Sequence, residues 1–216
     1  MRYLRMGMGL AAVLCALGAG ATSAVASEFE ASGPAAHGVS VSKSEVFNVY
    51  PMTITCARAE TKGSVAVGKS ESFTDEVKYT ACTTFAGQVK VTVTPGHFEY
   101  NANGTVAITE PIKITPTVLS CHYEIPAQAS FTKESVFFGD VTTFGNKKFP
   151  EGQKKLQVES AVQGMEYNAV GWPCTGPKSP PEVKEGKELE ETGNEGRFTG
   201  KVEETVTNGN FTWLKE

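Results

Sequence analysis

The segment from Gly63 to Ser70 matches the P-loop pattern G-x-x-x-x-G-K-[ST] at every position and is the sharpest chemical motif in the chain. A phosphate cradle needs an irregular loop between a strand and a helix. Here Val65-Ala66-Val67 is typical of a strand, and the residues from Glu71 to Thr74 do not predict a helix. We therefore expect no nucleotide site and no bound cofactor.

Two segments share the order histidine, aromatic residue, glutamate, and they begin at His97 and His122. Alternate side chains of a strand point to opposite faces, so each histidine shares a face with the glutamate two residues later. If the two strands were neighbours, two histidines and two glutamates could bind a metal ion. We favour the alternative of a solvated polar face, and we expect no metal site. The core behind that face would then contain Phe98, Tyr100, Tyr123 and Ile125.

Catalytic motifs are scarce in this sequence. It has no Gly-x-Ser-x-Gly and no His-Glu-x-x-His, and it contains three histidines. Asp75 and Asp140 are the two aspartates, which argues against calcium loops and against an aspartic dyad. Glutamate is abundant, and any two glutamates that flank a cleft could hydrolyse a glycosidic bond. We assign no catalytic residue, and we keep a secreted carbohydrate-active hydrolase with a glutamate pair as the alternative function.

Aromatic side chains could instead form a flat platform for sugar rings or for a partner protein. Trp172 is the best candidate for exposure, because Gly171-Trp172-Pro173-Cys174 opens a polar segment. The competing interpretation is that these rings belong to the core of a small β domain. Phe137, Phe138 and Phe144 are further aromatic candidates. The predicted ligand-binding residues are Trp172, Trp213 and Tyr167.

The N-terminal residues 1–26 predict a secretory signal peptide. Met1 to Arg5 forms a basic region, Met6 to Gly20 an apolar stretch that contains Cys15, and Ala24-Val25-Ala26 a cleavage site of small residues. The apolar stretch is short and rich in Gly and Ala, which argues against a membrane anchor. We expect a protein of the medium or the cell envelope, with no membrane span after cleavage.

The charge of the chain argues against nucleic acid as a partner. The formal net charge is -4, and loss of Arg2 and Arg5 with the signal leaves 18 basic and 24 acidic side chains. Only Arg58 and Arg197 then supply a guanidinium group, the side chain that favours phosphate and base recognition.

Four cysteines remain after signal cleavage, an even number that suits two disulfides in an oxidising compartment. Three connectivities are possible. We favour Cys56 with Cys82 and Cys121 with Cys174, because pairing between sequence neighbours asks least of the topology. Zinc is the competing use of four thiols, but none of them lie at the spacing of structural zinc ligands.

The composition from Ser27 onward predicts an all-β protein. It contains 20 Val and 22 Thr but four Leu, and β-branched residues favour strands. The valines of Gln88 to Thr94 alternate with polar residues, which is the pattern of a half-buried strand. Asn103-Gly104 and Asn208-Gly209 each predict a hairpin turn.

We expect a β-sandwich-like architecture of two small packed antiparallel β units split near Pro126, with one larger sandwich as the alternative. Residues 27–44 are predicted to be a flexible leader with a short strand at Glu28 to Ala31. Residues 45–125 would form the first unit and 126–216 the second. A charged mobile loop is expected at 176–197, since that segment has few aliphatic residues to offset the entropy of ordering.

Short sequence segments around the cysteines carry a resemblance to known proteins. They are Ala81 to Gly87, Gly104 to Ile108, Cys121 to Gln128 and Val162 to Tyr167, with Cys56 before them and Cys174 after them. The chain resembles a group of secreted, Val/Thr-rich actinobacterial proteins of unknown function that are encoded in many copies. Those relatives often carry a further cysteine pair near the positions of His97 and Glu110, which this chain lacks. The resemblance implies export and a β fold, and it leaves two intact bridges.

The sequence thus favours a secreted, non-catalytic binding or structural β module. Cell-wall polysaccharide or a surface protein is the expected partner. The absence of a catalytic motif and the strand-rich, disulfide-linked chain are the observations behind this expectation.

Overall fold

A computed structural model of the protein describes residues 27–40, 45–85, 87–141, 143–144, 147–148, 155–175, 190–206 and 209–214. In these ranges all regular secondary structure is β-strand, and every strand pairing is antiparallel. The predicted all-β fold is confirmed. No helix among these residues is long and apolar enough to cross a membrane.

Seventeen strands lie in the described residues. They are β1 (Glu28–Ala31), β2 (Ala35–Ser40), β3 (Glu45–Val49), β4 (Met52–Val65), β5 (Gly68–Ser70), β6 (Ser72–Thr84), β7 (Val89–Val93), β8 (Gly96–Asn101), β9 (Val106–Glu110), β10 (Ile112–Pro116), β11 (His122–Ile125), β12 (Lys133–Val141), β13 (Thr143–Phe144), β14 (Lys147–Lys148), β15 (Lys155–Val170), β16 (Glu190–Val206) and β17 (Phe211–Leu214).

Side-chain alternation explains these strands. In β6, Phe73, Val77 and Tyr79 are buried, whereas the residues between them are mostly exposed. This period of two places one face of each strand in the core and the other in solvent.

Eight strands pair in a closed circuit, which we call the first tier. The order is β3, β4, β6, β7, β10, β11, β15, β16 and back to β3. Because the circuit closes, each of these strands has a hydrogen-bonded neighbour on both sides.

The four longest strands, β4, β6, β15 and β16, continue past the first tier into a second tier. There β2 pairs with both β4 and β16, β8 pairs with β6, and β12 pairs with β15. β9 pairs with β8, and a backbone bridge joins its Ile108 to Gln128. The Glu134 side chain of β12 accepts a hydrogen bond from the Val106 N–H of β9. The Glu134 hydrogen bond and the Ile108–Gln128 bridge therefore connect β9 to β12 and to the segment before it.

A separate sheet in the order β17, β1, β5 packs against the second tier through aromatic rings. The Phe29 ring of β1 lies edge-on to Phe73 and to Phe138, each with its centroid 4.9 Å away, and 6.1 Å from Phe211. All four rings are buried. Edge-to-face pairs of this kind stabilise the core beyond the area that they bury.

The two predicted disulfides are confirmed. Cys56–Cys82 joins β4 to β6, and Cys121–Cys174 joins the start of β11 to the segment that follows β15. The predicted Asn103-Gly104 hairpin is also confirmed, since β8 and β9 pair across it and Gly104 has a φ of 89°.

Three local expectations differ from the structure. The predicted short strand Glu28–Ala31 is confirmed as β1, but residues 35–40 of the expected flexible leader form the strand β2, and the side chains of Phe29 and Ala36 are buried. The expected loop at 176–197 overlaps β16, whose Glu190 to Arg197 pairs with β15; residues 176–189 lie outside the described residues. In place of the pairing expected from the Asn208-Gly209 hairpin, the described part of β17 pairs with β1; Asn208 itself lies outside the described residues.

Strands on either side of Pro126 pair with one another. β3 pairs with β16, and β11 pairs with β15. The division into two units near Pro126 stays a prediction. The predicted signal peptide lies outside the described residues.

Candidate functional site

Four connections lie at one end of the first tier, which we call the loop end. They are the β3–β4 turn at 50–51, the β6–β7 turn at 85–88, the β10–β11 turn at 117–121 and residues 171–175 after β15. The strand registers place them together. Thr117 donates its N–H to the Lys90 carbonyl over 2.9 Å, and His122 pairs with Val170.

The loop end exposes large apolar side chains. Tyr50 is 59% exposed, Phe85 47%, Val118 74% and Trp172 64%, and each belongs to a different one of the four connections. Exposed apolar residues are common singly, but a group of them on adjacent loops marks an interaction surface. Of the described residues, Val67 and Phe137 are similarly exposed, and both lie in the second tier.

The segment that carries Trp172 is anchored by a buried disulfide and by hydrogen bonds. Cys174 is fully buried and disulfide-bonded to Cys121, and its carbonyl accepts a hydrogen bond of 3.2 Å from the Tyr123 hydroxyl. Thr175 donates its N–H to the Gly171 carbonyl, which closes the turn. The indole ring is therefore presented to solvent from an anchored segment.

Tyr50 is supported in a similar way by Tyr167. The Tyr50 N–H donates a hydrogen bond of 3.1 Å to the Tyr167 hydroxyl. Tyr167 is buried, and its ring lies edge-on to Tyr123 with the centroids 6.0 Å apart. Burial raises the pKa of Tyr167 above its usual value, so its hydroxyl stays neutral. Tyr167 links the two supports and positions the β3–β4 turn.

A cleft of about 520 Å³ lies between the β3–β4 and β6–β7 turns. None of the described side chains that line it is charged, and half of them are threonines. Thr84 donates its hydroxyl to the Thr53 carbonyl over 2.8 Å and so joins the two walls. Hydroxyl groups beside an aromatic ring can bind a neutral, polyhydroxylated ligand. The lining residues are Pro51, Met52, Thr53, Thr55, Thr83, Thr84, Phe85 and Gly87.

Two further clefts adjoin the loop end, and the described lining of each includes a single acidic side chain. Glu195 lies beside Arg197 in the cleft on the other side of Pro51. Glu166 lines a cleft next to Tyr167. A glutamate pair across a glycosidic bond would need two carboxylates in one cleft.

The structure separates the three predicted ligand-binding residues. Trp172 is exposed at the loop end, and Tyr167 lies beneath it in a cleft wall. Trp213 is in β17, where it packs on Phe138 and donates its Nε1–H to the Ala102 carbonyl over 3.1 Å. A ligand role for each of them stays a prediction. The Phe144 side chain is outside the described part of the chain.

The two histidine segments do not meet. His97 is on β8, whose neighbours are β6 and β9, whereas His122 is on β11, between β10 and β15. The predicted buried partners Phe98, Tyr100, Tyr123 and Ile125 are confirmed. His97 Nε2 instead lies 3.5 Å from Glu110 Oε2. Among the described residues, no group of three His, Cys, Asp or Glu side chains is arranged to hold a metal ion.

The P-loop pattern lies on strands. Gly63 to Val65 ends β4, and Gly68 to Ser70 forms β5. The pattern therefore lacks the helix N-terminus on which a phosphate would be bound.

Sequence reasoning missed Tyr50, Phe85 and Val118. One signal was available for Tyr50, because Tyr50-Pro51 repeats the aromatic-proline pair of Trp172-Pro173. Phe85 and Val118 lie next to turn residues in the sequence. Which turns share one end depends on strand order, and that order is not visible in the sequence.

Comparison of the chain with protein-family models, with curated proteins and with solved structures finds no match.

Proposed function

We propose that the protein is a secreted, non-catalytic binding module, and that its ligand is a neutral polysaccharide of the cell envelope bound at the loop end. The carrying observation is the gathering of Tyr50, Phe85, Val118 and Trp172 on four connections at one end of a closed sheet. Flat rings with fixed supports suit stacking against sugar rings. Rigid support also lowers the entropy lost on binding.

Two further observations support this proposal. The cleft of about 520 Å³ at the loop end is lined by threonines and apolar groups, without a charged side chain among its described residues. A neutral sugar polymer matches such a lining better than an ionic ligand does. The two disulfides suit an oxidising compartment outside the cytoplasm.

The test uses the predicted mature chain, Ser27 to Glu216, incubated with insoluble cell-wall material, chitin, cellulose and xylan. Depletion of the protein and release of soluble sugar are both measured. We expect depletion by at least one material without sugar release. Sugar release would contradict the non-catalytic assignment, and the absence of depletion by all four would contradict the polysaccharide ligand.

A matched pair of variants locates the surface. Trp172→Ala should weaken retention at least tenfold, because it removes the most exposed aromatic ring of the loop end. Phe137→Ala removes a ring that is 57% exposed in the second tier and should leave retention unchanged. Equal losses in the two variants would show that retention is a general property of exposed rings.

A further inference from the structure

Four acidic residues are buried among those that the structure describes: Glu203, which is 5% exposed, and three that are buried more completely. Glu45 of β3, Asp75 of β6 and Glu204 of β16 are each at most 2% exposed. The Tyr79 and Tyr100 rings and Ser160 are buried in the same interior. A buried carboxyl without a cationic partner is costly when ionised, so its neutral form is favoured.

Each of the three most buried carboxyl groups occupies space left by a glycine of a neighbouring strand. A Cβ atom on Gly38 would lie 2.3 Å from Glu204 Oε1, one on Gly63 would lie 2.0 Å from Asp75 Oδ1, and one on Gly200 would lie 2.0 Å from Glu45 Oε2. Because a Cβ atom would clash at all three positions, the carboxyl groups fill the space beside these glycines.

The polar contacts of Asp75 and Glu204 are few. Glu204 Oε1 accepts a hydrogen bond of 2.6 Å from the Thr61 hydroxyl. The Asp75 and Glu204 carboxyl groups can hydrogen-bond to each other when one of them is protonated. Apart from this contact, no hydrogen-bond partner within the described residues reaches either oxygen of Asp75, Oε2 of Glu204 or the hydroxyl of Tyr79. No described basic side chain donates to these atoms. The titratable side chains that face this space from the surrounding strands are Glu45, Asp75, Tyr79, Tyr100 and Glu204.

The strand β2 covers this pair of carboxyl groups. Gly38 pairs with Thr61 of β4 on one side and with Glu204 of β16 on the other. Ala36 pairs with Gly63, which is the neighbour of Asp75. Among the β2 side chains that the structure describes, Ala36 is the one buried apolar group. Backbone pairing with β4 on one side and β16 on the other therefore holds β2 in place.

We propose that β2 is a pH-sensitive strap, which detaches from β4 and β16 and opens the second tier to water when Asp75 and Glu204 ionise. Two carboxylates enclosed together repel each other and gain hydration on exposure. β2 lies between β4 and β16 directly beside both carboxyl groups, so its release would expose them to water. This inference is independent of the proposed ligand.

The titration properties of the pair agree with this arrangement. Burial raises the pKa of Glu204 to about 7, and burial together with the charge of Glu204 holds the pKa of Asp75 well above its usual range. Because both values are raised in the closed form, closure is favoured at low pH. That advantage is lost as the pH rises from the ordinary value of 4.5 through about 7.

Amide hydrogen exchange at several pH values tests the strap. Protection factors, corrected for the intrinsic pH dependence of exchange, are measured for residues 35–40 and for β10, which carries none of these acids. We expect protection of 35–40 to fall more than fifty-fold between pH 5 and pH 8, because linkage to even one carboxyl with these two pKa values is about that large. Protection of β10 should change far less.

Variants assign the effect to the pair. The double variant Asp75→Asn, Glu204→Gln replaces both acids with neutral groups of the same shape. It should make protection of 35–40 independent of pH. The matched control Glu124→Gln changes an exposed carboxyl on β11 and should keep the wild-type fall. If the double variant does not fold, the wild-type comparison decides alone. Constant protection of 35–40, or an equal loss in β10, would overturn the strap.

Discussion

Gly38 of β2 and Glu204 of β16 are cross-strand partners, and no room for a side chain exists between them. A Cβ atom on Gly38 would lie 2.3 Å from Glu204 Oε1 and 2.5 Å from Thr61 Oγ1, two atoms that are already hydrogen-bonded to each other. The sheet can thus hold an acid in its interior because a neighbouring strand has no side chain at that position.

Gly38→Ala should destabilise the fold by about 1 to 3 kcal/mol, because overpacking forces a fully buried carboxyl to move. Gly139→Ala on β12 is the matched control, since its Cβ would meet the exposed Phe137 ring at 3.1 Å and that ring can move. Urea denaturation compares the two. A Gly38→Ala variant as stable as the wild type would show that Glu204 has free space beside it.

Glu45 should make the protein less stable as the pH rises. Its Oε1 accepts the Lys201 N–H over 3.1 Å, and burial raises its pKa from 4.5 to about 7. Because the pKa of Glu45 is higher in the folded state than in the unfolded state, folding takes up protons. The contribution of Glu45 to the free energy of unfolding is therefore lost between pH 4.5 and 7.

Glu45→Gln should therefore reduce the fall in unfolding free energy between pH 5 and pH 8 by about 2 kcal/mol. Chemical denaturation at the two pH values measures the change. Glu71→Gln alters an exposed carboxyl and serves as the control. If Glu45→Gln and Glu71→Gln have the same pH dependence, the buried carboxyl is not the titrating group.

Tyr123→Phe and Tyr79→Phe make the same change at two buried positions. The Tyr123 hydroxyl donates to the Cys174 carbonyl, whereas the Tyr79 hydroxyl has no hydrogen-bond partner among the described residues. We expect Tyr123→Phe to cost about 1 kcal/mol, since it leaves a buried carbonyl unpaired. Tyr79→Phe should be neutral or stabilising. Unfolding free energies in urea give both values, and a larger cost at Tyr79 would contradict the hydrogen-bond assignment.

The fold class followed from composition, because β-branched residues and period-two alternation act locally along each strand. Both disulfides were predicted for a similar reason, since each joins elements that are close in sequence. β2 was missed because Ala36 and Gly38 carry little apolar surface, and its place is set by pairing with β4 and β16. Long-range pairing of this kind leaves no periodic signal in the sequence.

The candidate site was predicted only in part. Trp172 was identified from its local sequence and is exposed. Its neighbours at the loop end come from turns that are distant along the chain, and the closed circuit of strands brings them together. The buried acids were not predicted, because an acidic side chain is ordinarily assigned to the solvated face of a strand. Asp75 and Glu204 each lie among apolar residues of one parity, which is the one local signal that they left.

The central claim is that the loop end is the binding surface. Amide hydrogen exchange tests it on the mature chain, both free and bound to the polysaccharide that removes the protein from solution. We predict slower exchange on binding in residues 50–53, 87–90, 117–121 and 171–175, with no change in 67–70 and 133–139. Protection centred on 133–139, or spread evenly over the chain, would contradict a binding surface at the loop end.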